Sequence, residues 1–220
     1  MDDRGAVHDG SAAGDHYFTA RPASPDERKE IGTRLAGIEV AVETAPGVFS
    51  SSRIDLGTSV LLRTVPAPPP GTLLDLGCGW GPIALTMALL QPEARVWAVD
   101  VNERALDLVR RNAGRVAQIA PAGEVIAATP DEVPDDLTFD AIWSNPPVRI
   151  GKDALHGLLA RWLPRLAPGA EAHLVVQRNL GADSLARWIG EQRDDAGRGW
   201  GEIEKVASAK GFRVLRVRRP

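Results

Sequence analysis

TLLDLGCGWGPIALTMALL, residues 72–90, decides the fold. LLDL is an apolar run of strand length, and IALTMALL is a helical run with Pro82 near its first turn, where a missing N–H is harmless. Gly77, Gly79 and Gly81 fall between them. Strand, glycine turn and helix are the opening unit of a parallel α/β sheet, whose ligands bind at the carboxyl ends of the strands. Glycines let a backbone approach a ligand closely and adopt conformations that a Cβ forbids. The spacing G-x-G-x-G is one residue short of the dinucleotide fingerprint, and Asp75 stands just before it. A pyrophosphate gains little from a carboxylate there, whereas an ammonium or a sulfonium matches it in charge. The bland alternative is a tight turn with a structurally required acid.

Downstream, the alternation continues. RVWAVD is a second strand ending in Asp100, placed to accept hydrogen bonds from ribose hydroxyls. NERALDLVRRNAGRV is an amphipathic helix that Asn102 can cap. EVIAA and FDAIW are further strands. A helix is expected around 154–166, then the strand AHLVVQ and a helix around 184–191. The Gly-rich stretch 194–201 reads as a mobile loop, and IEKVA and FRVLRV as a terminal hairpin across SAKG. Upstream, IGTRL and IEVAVET flank Ala36-Gly37 in a two-residue hairpin. VFSSSRIDLGTSVLLRTV becomes helical from about Thr58, where Asp55 can cap the helix, and VPAPPPG is a stiff connector. Residues 1–15 read as a disordered tail, 16–71 as an arm, hairpin and helix packed on the core, and 72–220 as the core of one domain. The expected fold is α/β: a seven-stranded, mostly parallel sheet with a terminal antiparallel hairpin and an N-terminal β-hairpin extension.

SNPPVRIGK, residues 144–152, ends the fourth core strand in an unusual way. An exocyclic amine is a poor nucleophile because its lone pair is delocalised into a π system. Accepting both of its N–H bonds localises that pair. The side-chain oxygen of Asn145 and the carbonyl of Pro146 are two such acceptors, and Pro146 and Pro147 stiffen the backbone that carries them. The alternative is a plain breaker after a strand.

At 220 residues the chain suits one well-cored domain. Its net charge of −3 excludes a strongly basic nucleic-acid binder. The basic stretch from Lys205 to Arg219 reads as a charged, aggregation-resistant edge strand, with an RNA-facing patch as the alternative. A lone Cys78 excludes an intramolecular disulfide, and the four scattered His lack ligand spacing, so no metal is expected. No apolar run is long enough to span a bilayer. The polar, acidic N-terminus resembles neither a signal peptide nor a transit peptide, which makes the cytoplasm the expected setting.

DLGCGWGP followed by VWAVDVNERAL resembles the first two motifs of the class I S-adenosylmethionine-dependent methyltransferases, with their Rossmann-like fold. The resemblance implies S-adenosylmethionine as cofactor, lined by Gly77, Cys78, Gly79 and Gly81, with Asp75 near its methionine moiety. It places Asp100 at the ribose, Asn102 near the adenine edge, and Val101, Thr58, Ala128, Thr129 and Asn145 around the same ligand. Cys78 is then a small loop residue with no His close in sequence to activate it. Asn-Pro-Pro resembles the N-P-P-[aromatic] signature of amino methyltransferases, but the fourth position is Val148. Phe49, Tyr17, Phe18 or Trp143 could take the role of the missing aromatic, although Trp143 reads better as core.

NPPVRIGK as a whole is similar to the short relatives of the small-subunit ribosomal RNA guanine-N2 methyltransferases, as are HYF at 16–18, GVFSSSRIDLGTSVLL and EKVASAKGFRVLRVRR. That similarity implies ribosomal RNA or the small subunit as partner; the sequence leaves monomer and homodimer both open. Asn145, Pro146 and Pro147 become catalytic, and Arg149, Lys152, Phe49 and Tyr17 bind substrate. Long members carry a second, degenerate domain that helps hold RNA. The other readings are a glutamine methyltransferase for release factors, which favour an aromatic after N-P-P, a small-molecule amine methyltransferase, and a non-catalytic RNA-binding module. A nicotinamide-dependent oxidoreductase fits worst, since the Gly spacing is wrong.

Overall fold

The computed structural model describes residues 21–147, 150–194 and 196–220. A hairpin of β1 (Lys29–Leu35) and β2 (Ile38–Thr44) precedes helix α1 (Leu56–Thr64). There follow β3 (Thr72–Leu76), α2 (Pro82–Leu90), β4 (Arg95–Val99), α3 (Glu103–Ala117), β5 (Glu124–Ala128) and β6 (Phe139–Ser144). The chain closes with α4 (Lys152–Trp162), β7 (Leu166–Gln177), α5 (Ala182–Glu191), β8 (Glu202–Ala209) and β9 (Phe212–Arg218). Seven strands form one sheet in the order β5-β4-β3-β6-β7-β9-β8. The first five run parallel, and β9 and β8 are antiparallel. This is the expected Rossmann-like, mostly parallel sheet with its terminal antiparallel hairpin.

Central strands of such a sheet are covered on both faces, which is why they read as unbroken apolar runs. Leu74, Leu76, Ile142 and Leu174 pack with Leu155, Leu159 and Trp162 of α4 and with Leu185 and Ile189 of α5. Their neighbours Leu73, Ala141, Trp143 and Val175 pack on the other face with residues of α1 and α2, among them Val60, Leu61, Ile83 and Met87. Trp143 is buried core, so it offers no ring to a ligand.

The N-terminal hairpin turns on Ala36 (φ 49°) and Gly37 (φ 83°), the left-handed pair of a two-residue turn. Its Leu35, Val40 and Val42 pack with Trp80, Leu85 and Leu108 from the glycine loop, α2 and α3. Buried Asn112 completes the joint. Its Nδ2 donates to the Glu43 and Trp80 carbonyls at 2.9 and 3.0 Å, and its Oδ1 accepts from Glu43 N at 2.7 Å. A polar group with every partner supplied is cheap to bury and specific in register.

Three expectations change. Helix α4 stops at Trp162 and Leu166 already belongs to β7, because Pro164 falls in a one-turn 3₁₀ segment, 163–165, and forces a break. The Gly-rich stretch is a closed turn in its described residues. Asp194 Oδ1 accepts from the N–H groups of Ala196 and Arg198, Arg193 bridges to Gly199, and Trp200 is buried. Half of the six C-terminal cations are matched by acids from other elements. Arg213 pairs with Asp183, Arg216 with Glu171 and Glu204, and Arg219 with Asp194. Moreover β8, not β9, is the edge strand, so the charged-edge reading fits Lys205 alone of the cations in these two strands. Among the described residues no helix is long and apolar enough to cross a membrane.

Candidate active site

The glycine loop folds back over the end of β4. Gly77 N and Cys78 N both donate to the Val99 carbonyl, at 2.8 and 3.1 Å. Gly77 (φ 77°) and Gly79 (φ 55°) are left-handed, a conformation that costs other residues free energy. Asp100 holds the loop from the next strand: Oδ2 accepts from Gly79 N and Oδ1 from Asn102 N, each at 2.9 Å. Burial raises its pKa, opposed by those N–H bonds. Gly81 (φ 96°) starts α2, where an added Cβ would lie 3.1 Å from Val109 Cγ2.

Asp75 sits under this loop, fully buried, and not on the lining of the cleft. Its Oδ2 accepts from Ala84 N at 2.9 Å, which ties β3 to the first turn of α2. Its Oδ1 has no partner among the described residues. Burial, with a smaller push from the charge of Asp100, raises its pKa to about 8, against the pull of the Ala84 bond. Cys78 is also buried, and desolvation with the nearby Asp100 and Asp75 charges keeps its thiol well above the usual range. A protonated, enclosed thiol is no nucleophile.

The Asn-Pro-Pro loop arrives beside the glycine loop on strand β6, which pairs with β3. Ser144 Oγ donates to the Leu76 carbonyl at 2.6 Å and pins the two strand ends together. Asn145 Nδ2 donates to Asp55 Oδ2 at 2.9 Å and to Thr58 Oγ1 at 3.0 Å. Asp55 is the cap of α1, accepting from Gly57 N and Thr58 N at 2.7 and 3.2 Å. That cap is why α1 begins at Leu56. Pro146 is buried and Pro147 exposed; Pro147 Cδ lies 3.7 Å from where a Cβ on Gly77 would stand. The two loops meet at a solvent-open cleft lined by Phe49, Asp55, Thr58, Gly77, Gly79 and Asn145 among others.

One wall of the cleft comes from residues 46–50, and α3 holds it. Asn102 Nδ2 donates to the Gly47 carbonyl at 2.9 Å while its Oδ1 caps α3 through Arg104 N. Asn102 is therefore engaged as a cap and wall clamp. Arg104 is buried and reaches the carbonyls of Pro46 and Arg21 and the Glu27 carboxylate. Trp80 Nε1 donates to the Ser50 carbonyl at 3.2 Å. Phe49 projects from this wall and is 50% exposed. The sequence reading missed Arg104, which looks like one more charge on an amphipathic helix; its place in the first turn after a capping Asn was the available signal.

The remaining predicted residues are more scattered. Val101 is exposed beyond β4, and Ala128 is buried at the end of β5. Thr129 is occupied, its N and Oγ1 both donating to Glu132. Lys152 is exposed at the start of α4. Tyr17, Phe18, Val148 and Arg149 lie outside the described residues.

Comparison with known proteins converges on one family. The profile of the methyltransferase small domain matches residues 39–216. The ribosomal RNA small subunit methyltransferase C of Pseudomonas aeruginosa is 35% identical over 206 residues, covering 90% of this chain and 58% of that protein. The uncharacterized protein YbxB of Bacillus subtilis is 27% identical over 208 residues, with 93% and 98% covered. Among solved structures, a T. thermophilus 16S rRNA N2 guanine methyltransferase in complex with AdoMet and guanosine shares the fold. It aligns with a TM-score of 0.71 at 22% identity, over 90% of this chain and 52% of that one. The chain thus spans little more than half the length of the methyltransferase C relative.

Proposed function

Because the chain belongs to the methyltransferase small domain family, we propose that it is an S-adenosylmethionine-dependent N-methyltransferase acting on an exocyclic amine, guanine N2 of small-subunit ribosomal RNA. The observation that carries this reading is the meeting of the glycine loop and Asn145 at one cleft, with the Asn145 amide nitrogen already engaged by Asp55 and Thr58. Its oxygen is left to accept.

The residues fit the cofactor. Gly77 and Gly79 present bare backbone in left-handed conformations at the cleft, with Thr58 opposite. Asp100 holds the loop with Oδ2, on Gly79 N, and its own chain with Oδ1, on Asn102 N, and a carboxylate has further lone pairs to offer a ribose hydroxyl. Val101, Ala128 and Thr129 border the adenosine end. Cys78 lines the cleft beside the glycines, Asp75 and Gly81 shape the loop from behind, and Asn102 acts through the wall it clamps. The cofactor, when bound, supplies an electrophilic methyl group.

Asn145 Oδ1 and the Pro146 carbonyl accept the two N–H bonds of the target amine and localise its lone pair. Pro146 and Pro147 hold these acceptors in place before substrate arrives, which is where preorganised dipoles act most strongly. No strong base is needed, because the methylated nitrogen loses its proton readily. A paired guanine must leave its stack to reach this position. Phe49 offers a half-exposed ring to stack on it, a contact worth about 1–3 kcal/mol.

RNA as partner is supported by the cations at the carboxyl ends of the strands. Arg53, Lys152, Arg178 and Lys210 are exposed there and make no ion pair among the described residues, unlike Arg213, Arg216 and Arg219. Arg149 and Tyr17, which lie outside the described residues, enter as substrate contacts through the family resemblance alone. The test is transfer of a tritiated methyl group from S-adenosylmethionine to deproteinised ribosomal RNA, small subunits and release factors in parallel. Label in guanine N2 is expected; label in a glutamine side chain would overturn the assignment.

A further inference from the structure

The Asn145 amide presents two ends of nearly equal size and opposite character: an oxygen that accepts and a nitrogen that donates. The reaction proposed above works with only one of them turned to the target amine. Nothing in Asn-Pro-Pro itself selects which. We infer that Asp55, assisted by Thr58, is the positioning residue that sets the polarity of this amide; the inference rests on the proposed role of Asn145 as acceptor.

Asp55 lies 90 residues from Asn145 in sequence and touches it at 2.9 Å. A carboxylate oxygen accepts and never donates, so a reversed amide would place oxygen against oxygen. Thr58 Oγ1 takes the second amide proton at 3.0 Å. The carboxylate is itself fixed, since the same Oδ2 accepts from Gly57 N and Thr58 N at the start of α1. The partial positive charge of a helix N-terminus favours an anion there. Gly57 is required at this joint: a Cβ on it would stand 3.0 Å from Asp55 Oδ2 and 2.8 Å from the Phe212 ring of β9. Asp55 therefore does two jobs with one oxygen, capping α1 and orienting the acceptor.

Asp55→Ser separates them, because serine retains a capping oxygen but is too short to reach Asn145. The variant is expected to melt close to wild type and to bind S-adenosylmethionine unchanged by calorimetry. Its kcat should fall by about a hundredfold, the order seen when a reacting group is misplaced by an ångström. Thr58→Val should lose turnover in the same sense, and Thr58→Ser, which retains the hydroxyl, should restore it. In protein labelled with ¹⁵N-asparagine, the Asn145 side-chain protons should exchange slowly in wild type and quickly in Asp55→Ser. Wild-type kcat in Asp55→Ser, with Asn145→Ala inactive, would overturn the positioning role and leave the proposed function standing. Weaker cofactor binding at unchanged kcat would overturn it too, marking Asp55 as a cofactor ligand. Full turnover by Asn145→Ala would bring down both.

Discussion

Replacing Asp75 with asparagine should stabilise the protein, and by more at alkaline than at acid pH. The carboxyl is fully buried and its pKa is pushed from 3.8 to about 8. Above the lower value the unfolded chain has released this proton, while the folded protein keeps it up to the higher one. Rising pH therefore favours the unfolded state throughout that window, by about 1.4 kcal/mol per pH unit. In Asp75→Asn the amide oxygen would keep the bond from Ala84 N, and the side chain would not titrate. The stability difference between variant and wild type should then grow by about 4 kcal/mol between about pH 5 and about pH 8, and level off beyond. Asp100, whose pKa is also raised, is present in both proteins and largely cancels. Urea unfolding of the two proteins across this range reads the difference directly. A difference that does not change with pH would show that Asp75 ionises normally in the fold, and would refute the burial reasoning. Reduced S-adenosylmethionine affinity in the variant would instead favour the charge-matching role read from the sequence.

Two further changes test the glycine loop. Gly81→Ala forces a side chain into a left-handed position facing Val109, and should cost about 1–3 kcal/mol, read as a lower unfolding midpoint; an unchanged midpoint would mean that the loop relaxes freely. Asp100→Ala frees the Gly79 and Asn102 N–H groups and should weaken S-adenosylmethionine binding about tenfold to a hundredfold, the range for lost hydrogen bonds to a charge. Calorimetry showing wild-type affinity would contradict the ribose assignment.

The strand and helix order was legible because buried parallel strands leave unbroken apolar runs, and because Gly77, Gly79 and Gly81 mark a turn that only bare backbone can make. Asp100 and Asn145 could be placed at strand ends because each directly follows such a strand. Asp75 stands just before the glycines in sequence, but a period of two along β3 turns it to the same face as Leu73, towards α2 and off the lining of the cleft. Asp55 announced itself as a helix cap, yet its bond to Asn145 depends on the crossover that brings α1 against β7 and β9, and no local pattern carries that. The C-terminal arginines looked free for the same reason. Their acid partners Glu171, Asp183 and Asp194 come from elements brought alongside only by the sheet order. Leu166 was misassigned because an apolar run across a 3₁₀ turn has no period to separate helix from strand.

The most direct test of the acceptor mechanism is single-turnover methyl transfer to small-subunit ribosomal RNA at saturating S-adenosylmethionine, comparing wild type with Asn145→Ala. The variant should bind the cofactor as wild type does and transfer no detectable label. Transfer at the wild-type rate would contradict the role given to Asn145.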